Sequence, residues 1–83
     1  MFTVYVLRSL KNGRMYIGHT DNIERRLEEH NSGRSRYTHT TRPFELIYSE
    51  VYKSRSEAAK RELQLKSGQG RLWLRKVVGR AVA

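Results

Sequence analysis

Residues 3–19 read TVYVLRSLKNGRMYIGH. The first part, 3–10, is rich in β-branched and aromatic side chains, which is typical of a strand. Asn12-Gly13 is a strong short-range signal for a hairpin, because both residues tolerate the positive φ angles of a type I′ turn. The stretch therefore predicts two antiparallel strands, 3–10 and 14–19, joined by a two-residue loop.

The register of this hairpin sorts its side chains onto two faces. A two-residue loop pairs Leu7 with Gly18 and Tyr5 with Thr20, so Tyr5, Tyr16 and Gly18 share one face. The missing side chain at Gly18 leaves that face open for close approach. Two interpretations stay open here, an aromatic pair packed on a sheet or a site built around two phenols. The opposite face is the expected core side and carries Val4, Val6, Met15 and Ile17.

The next segment predicts a helix at 21–31. Asp21 is a natural N-cap with Glu24 as its capping-box partner, and Gly33 is a suitable stop. An i, i+3, i+4, i+7 pattern places four residues on one face of this helix: Ile23, Arg26, Leu27 and His30. An arginine beside a buried stripe either covers apolar surface with its stem or binds an anion such as phosphate.

The second half of the chain predicts one more strand and two helices. A polar, basic loop is expected at 32–43, and alternating apolar residues predict a strand at 44–52. A capping box at Ser54 begins a helix that runs to about Lys66, and a short helix follows the break at 67–70, over residues 71–79. The order predicts an α+β fold in which a three-stranded, mainly antiparallel sheet is flanked by helices (β-β-α-β-α-α), with 1–83 as one domain.

The second helix carries one informative carboxylate. Ala58, Glu62 and Leu65 follow an i, i+4, i+7 pattern, so Glu62 lies within the apolar stripe. A carboxylate there needs a cation, and spacing alone favours an ion pair over a metal ion. The chain has no Cys and Asp21 is its one Asp, so neither a cysteine-based zinc site nor a two-metal nuclease site is expected.

The charge of the chain points to a polyanionic partner. Lys and Arg number 17 against 8 Asp and Glu, which gives a net charge of +9. A field of this sign attracts nucleic acid, and we expect DNA more than RNA. No apolar run approaches the roughly 20 residues of a membrane span, so no membrane contact is expected. The absence of Cys and of a signal-peptide pattern predicts a cytoplasmic protein.

Together these residues resemble the GIY-YIG nuclease family, and most closely its small stand-alone bacterial members. The second half of the name motif stands intact at 16–18 (YIG), and the first half at 3–5 (TVY) keeps its tyrosine. The arginine of the family falls on Arg26, its frequent histidine on His30 and its metal-binding glutamate on Glu62. The resemblance covers nearly the whole chain.

The resemblance implies endonuclease-type hydrolysis of phosphodiester bonds with one Mg²⁺ or Mn²⁺ ion. It implies a phosphate contact for Arg26 and leaves open which phenol or imidazole takes the proton of the attacking water. The incomplete first half-motif favours an alternative, a non-catalytic nucleic-acid-binding module on the same fold. A basic accessory protein that docks on an acidic partner is a third interpretation. The implied site residues are catalytic Tyr5, Tyr16, Arg26 and His30, metal-binding Glu62, and nucleic-acid-binding Gly18 and Lys66.

Overall fold

The computed structural model describes residues 1–33 and 41–82, with side chains in the last helix described as far as Val78. Its elements are, in chain order, β1 (Phe2–Ser9), β2 (Met15–Thr20), α1 (Ile23–Ser32), β3 (Phe44–Tyr52), α2 (Arg55–Lys66) and α3 (Gly68–Val82). The strands form one antiparallel sheet in the order β2-β1-β3. This architecture confirms the predicted α+β fold. Most of the predicted basic loop, residues 34–40, lies outside the described part of the chain.

The register of the hairpin differs by two residues from the prediction. Tyr5 pairs with Gly18 and Leu7 pairs with Tyr16, whereas the two-residue loop pairs Tyr5 with Thr20. Because side chains alternate with a period of two, a shift of two residues leaves every side chain on its predicted face. Tyr5, Tyr16 and Gly18 therefore do share a face, although their predicted partners were wrong.

The longer hairpin loop explains the shift. The amide of Ser9 donates to the carbonyl of Arg14 at 2.9 Å, so the loop spans residues 10–13. The Ser9 hydroxyl accepts hydrogen bonds from the amides of Lys11 (3.1 Å) and Asn12 (3.2 Å). These bonds satisfy the two amides within the longer loop. In a two-residue loop, the amide of Lys11 would instead pair with Arg14 across the strands.

Helices cover both faces of the sheet, so its central strand β1 is buried on both sides. One face packs against α2 and α3 through a cluster of Val4, Val6, Ile17, Ala58, Leu65 and Leu74. The other face carries a second cluster in which α1 residues pack against the strands: Tyr5, Leu7, Phe44, Tyr16, Ile23 and Leu27. The face with the two tyrosines is therefore part of the core as well as a candidate site.

The caps of α1 and α2 were predicted with mixed success. Asn22, not Asp21, caps α1, and its side-chain oxygen accepts from the amide of Arg25 at 3.0 Å. Asp21 forms an exposed ion pair with Arg25 instead. Both residue types are good caps, so composition does not choose between neighbours. Gly33 ends α1 and Ser54 caps α2, as predicted.

The helix α3 begins earlier than the predicted 71–79, because the break after α2 is confined to Ser67. A Cβ atom at Gly70 would stand 2.1 Å from the carbonyl oxygen of Gln64 and 2.7 Å from the Cα of Leu65. This glycine therefore permits close packing of α3 on the end of α2 rather than breaking a helix. Among the described residues, none of the helices has the length and apolar character needed to cross a bilayer.

Candidate active site

A buried phenol lies at the centre of the site, between β1 and α1. The Nε atom of Arg26 donates to the Tyr5 hydroxyl at 3.3 Å, and Nε2 of His30 lies 3.4 Å from the same oxygen. Tyr5 is 1% exposed and His30 is fully buried. Because a guanidinium only donates, the hydroxyl accepts from Arg26 and its own proton is available to Nε2 of His30.

The second phenol, Tyr16, lies closer to the surface. Its ring centroid is 4.8 Å from that of His30 and 6.4 Å from that of Tyr5. Its side chain is partly exposed, and its hydroxyl also interacts with Arg26. The structure thus brings together four predicted site residues, here called the tyrosine cluster: Tyr5, Tyr16, Arg26 and His30.

Arg26 is the cation of the tyrosine cluster. The hydrogen bond with Tyr5 raises the pKa of Arg26, and although burial lowers it, a hydrogen bond to Glu29 raises it further. That second bond runs from Nη1 of Arg26 to Oε2 of Glu29 at 2.9 Å. Sequence reasoning missed Glu29, although its i, i+3 spacing from Arg26 on a helix was the available signal.

The other buried members of the cluster are uncharged near neutral pH. Burial raises the pKa of Tyr5, which the hydrogen bond and positive charge of Arg26 only partly offset. Burial and the nearby charge of Arg26 lower the pKa of His30 to about 4. Tyr5 is therefore a neutral phenol and His30 a neutral imidazole, which suits a role in positioning Arg26.

Glu62 lies on α2, at the β2 edge of the sheet. Its Oε1 atom is 2.8 Å from Nδ1 of His19, and its Oε2 accepts from Nζ of Lys66 at 2.6 Å. The Glu62 side chain is 17% exposed. The ion pair that the sequence spacing favours for Glu62 is therefore present. Its cation is Lys66, which is expected from the sequence to contact nucleic acid.

Sequence reasoning missed His19. This residue pairs with Val4 and so projects toward α2, which strand alternation could have shown. Its partner Glu62 lies 43 residues further along the chain, and no local pattern connects the two.

Gly18 lies against the tyrosine cluster, and its neighbour along β2 contacts Glu62. A Cβ atom at this position would stand 2.5 Å from the hydroxyl oxygen of Tyr5. The next residue, His19, contacts Glu62 on the other side of the strand. After burial and the effects of Arg26, the negative charge of Glu62 also contributes to the raised pKa of Tyr5. Glu62 itself meets His19 and Lys66 on the α2 side of the sheet, whereas the phenol faces α1.

Glu62 fits a hard divalent cation as a single protein ligand. Burial raises the pKa of Glu62, but hydrogen bonds from Lys66 and His19 outweigh it and lower the pKa, so the group is ionised at neutral pH. Each carboxylate oxygen can accept more than one partner, so a cation would add to these contacts or replace that of Lys66. Within residues 1–33 and 41–82, no three His, Cys, Asp or Glu side chains group into a metal site. The remaining ligands of a cation would be water and phosphate oxygens, which Mg²⁺ and Mn²⁺ accept.

Known proteins resemble this chain over most of its length. The family model described as the GIY-YIG catalytic domain matches residues 1–76. A UPF0213 protein of Staphylococcus haemolyticus is 42% identical over 65 residues, which cover 77% of this chain and 78% of that protein. A UPF0213 protein of Staphylococcus saprophyticus is 38% identical with the same coverage. The solution NMR structure of a UPF0213 protein from Bacillus halodurans has a TM-score of 0.55 and 32% identity, and the match covers 93% of this chain and 85% of that one.

Proposed function

The chain belongs to the GIY-YIG family, and we propose that it is an endonuclease-type phosphodiesterase that cuts nucleic acid, DNA in preference to RNA, with one divalent cation. The observation that carries this proposal is the convergence of Arg26 and His30 on the hydroxyl of Tyr5, with the ring of Tyr16 packed beside them. The negative charge of Glu62 contributes to the raised pKa of that hydroxyl. A guanidinium can bind the phosphate, a phenol can exchange a proton with water and a carboxylate can hold a metal ion, and these are roles that metal-dependent phosphodiester hydrolysis uses.

Arg26 binds the phosphate in this proposal. Its contacts with Tyr5 and Glu29 occupy only part of a guanidinium that carries five N–H donors. The side chain is partly exposed, so the remaining donors can meet a phosphate oxygen at the surface. Charge-assisted hydrogen bonds of this kind strengthen as negative charge develops on the phosphate in the transition state.

We assign Tyr16 as the group that takes the proton of the attacking water, acting as the phenolate after its own hydroxyl proton has passed to solvent. Tyr16 is the partly exposed phenol, whereas Tyr5 is buried and its pKa is raised by that burial. His30 is buried, and its pKa of about 4 makes it a weak base at neutral pH. Tyr5 and His30 therefore hold Arg26 and the ring of Tyr16 in position.

Glu62 would hold the divalent cation, which stabilises charge on the scissile phosphate and its leaving oxygen. His19 orients the carboxylate of Glu62 through its 2.8 Å contact. Lys66 remains partly exposed and adds positive charge for the phosphates of a bound strand. Gly18 contributes by leaving room for the phenol of Tyr5, whose hydroxyl oxygen lies 2.5 Å from the position of a Cβ atom.

The ion pair between Glu62 and Lys66 favours a second candidate function, a binding module without catalysis. An ammonium group 2.6 Å from Oε2 already neutralises the carboxylate without any metal ion. In that case the basic surface binds nucleic acid and no bond is cut.

A cleavage assay separates the two functions. Single-stranded, duplex and branched DNA, with the matching RNA, are incubated with and without Mg²⁺ or Mn²⁺. We expect cleavage that depends on the metal and is lost in Glu62→Gln, with the circular dichroism spectrum of the folded protein unchanged. Glu57→Gln, at an exposed position of the same helix, is the matched control and should cut normally. Retained activity in Glu62→Gln would remove the metal role, and salt-sensitive binding with no cleavage would establish the binding module.

A further inference from the structure

A second aromatic group stands at the β3 edge of the sheet, on the other side of β1 from the β2 edge that carries Glu62. Trp73 of α3 is the sole tryptophan of the chain, and its side chain is 40% exposed. The ring of Tyr48 meets the indole edge-on at 5.6 Å, and the guanidinium of Arg61 lies 5.1 Å from the indole centroid. The indole is therefore held by two neighbours while much of it still faces solvent.

The neighbours of Trp73 are themselves fixed by a carboxylate. Glu50 of β3 accepts from Nε and Nη2 of Arg61 at 2.8 and 3.1 Å. It also accepts from the hydroxyls of Tyr48 and Tyr52. A ring supported in this way can stack on a planar ligand with little further loss of side-chain entropy.

The helix around the indole is basic. Arg71, Arg75 and Lys76 are all exposed on α3, and the sequence of α3 contains no Asp or Glu. Lys76 follows Trp73 by three residues and so lies on the same side of the helix. Arg71 and Arg75, two residues before and after Trp73, lie on the other side of the helix, so the positive charge of α3 beside the indole is that of Lys76.

We propose that Trp73 stacks on an unpaired base of a single-stranded nucleic acid whose backbone phosphate lies against Lys76 of α3. Stacking platforms for single strands combine these two features, an aromatic face and nearby positive charge. An acidic peptide would use only the charge and would leave the supported indole without a role. The proposal takes nucleic acid as the ligand from the proposed function but does not require that the protein cut it.

The indole itself reports on the contact, because no second tryptophan contributes to the emission. Wild-type protein in EDTA is titrated with a short oligothymidylate at low salt, and Trp73 fluorescence is recorded. We expect saturable quenching that weakens as salt rises. By anisotropy of a labelled oligonucleotide, Trp73→Ala should bind about tenfold more weakly, whereas Trp73→Phe stays near wild type. Leu72→Ala, at the exposed neighbouring position, is the matched control and should bind normally.

Three results would overturn the stacking proposal. Equal quenching by a duplex of the same length would show that unpaired base faces are not needed. Equal quenching by polyglutamate would assign the surface to charge alone. An emission shift that grows with protein concentration, without nucleic acid, would assign it to self-association. If circular dichroism shows that Trp73→Ala does not fold, the wild-type titration and the binding of Trp73→Phe still test the stacking proposal.

The two proposals fail separately. Quenching without any cleavage supports the stacking contact and refutes catalysis. Cleavage without quenching supports catalysis and overturns the stacking contact.

Discussion

The hydroxyl oxygen of Tyr5 lies 2.5 Å from the point where a Cβ atom of residue 18 would stand, and its ring atom Cζ lies 2.7 Å from that point. Tyr5 and Gly18 are direct partners in the β1–β2 pairing. The buried phenol therefore occupies the space that any other residue at position 18 would need. The hydrogen bond from Arg26 to the phenol depends on this arrangement.

Gly18→Ala should therefore damage both stability and activity. We expect a loss of about 1–3 kcal/mol in the free energy of unfolding, because the phenol must move within a packed core. The same movement lengthens the contact with Arg26 and should reduce cleavage. Urea unfolding and the cleavage assay measure the two effects. Gly68→Ala is the control, because a Cβ there meets nothing within 4 Å. If Gly18→Ala is as stable as the wild type, the phenol of Tyr5 can adopt another position at no cost, which would contradict this prediction.

Arg26→Lys should not preserve activity although it preserves charge. Arg26 contacts Tyr5 through Nε and Glu29 through Nη1, and a single ammonium group cannot span both. We expect the cleavage rate to fall by about 10²–10³, as for the loss of one transition-state donor. Arg25→Lys is the control, because Arg25 is exposed and pairs at the surface. Equal rates for the two variants would argue against a specific role for Arg26.

His30 should make stability depend on pH in a defined window. Its pKa is lowered to about 4 in the folded state, while an unfolded histidine titrates near pH 6.5. Between these values the unfolded chain binds a proton that the folded chain does not, so stability falls as pH falls. At pH 5 the loss should reach about 2 kcal/mol relative to pH 8, measured by urea unfolding.

The titration of Glu50 and Glu62 affects stability in a lower pH range than the titration of His30. The pKa values of Glu50 and Glu62 are also lowered, so their contribution to stability is lost only below about pH 4.5. His30→Gln should flatten the stability profile between pH 5 and 6.5. A slope that persists in that variant would place the titrating group elsewhere.

Two carboxylates of β3 should differ in their contribution to stability. Glu50 is mostly buried and bonds to Arg61 and two tyrosines, whereas Glu45 pairs with Arg8 at a more exposed position. We expect Glu50→Gln to cost about 2 kcal/mol, because it weakens several charge-assisted bonds at once. Glu45→Gln should cost less than about 1 kcal/mol. Thermal unfolding of the pair checks this order, and a larger loss for Glu45→Gln would contradict it.

The faces of the sheet could be predicted from the sequence, but the hairpin register could not. Alternation along 3–10 and 14–19 placed Tyr5, Tyr16 and Gly18 together, and an error of two residues left that result intact. The Asn12-Gly13 signal marks a turn but does not fix its length. Here the length depends on the hydroxyl of Ser9, whose bonds to loop amides no pairing rule anticipates.

The helical members of the candidate site followed from spacing, and their partners did not. The pattern on α1 placed Arg26 and His30 on the face toward the sheet, because helical periodicity is a local property. The contact between His19 and Glu62 joins a strand to a distant helix, and local patterns carry no information about such pairs. The prediction of a helix break at Gly70 was wrong for a related reason. The residues that require a glycine there, Gln64 and Leu65, belong to a different helix, α2.

Consecutive residues of α2 connect to opposite edges of the sheet: Arg61 bonds to Glu50 on β3, and Glu62 bonds to His19 on β2. Each residue of an α-helix is rotated by about 100° from the one before it. A single insertion or deletion between the cap at Ser54 and these two residues would turn both away from their strands together. This segment can therefore exchange residue types freely at its exposed positions, but its length is fixed.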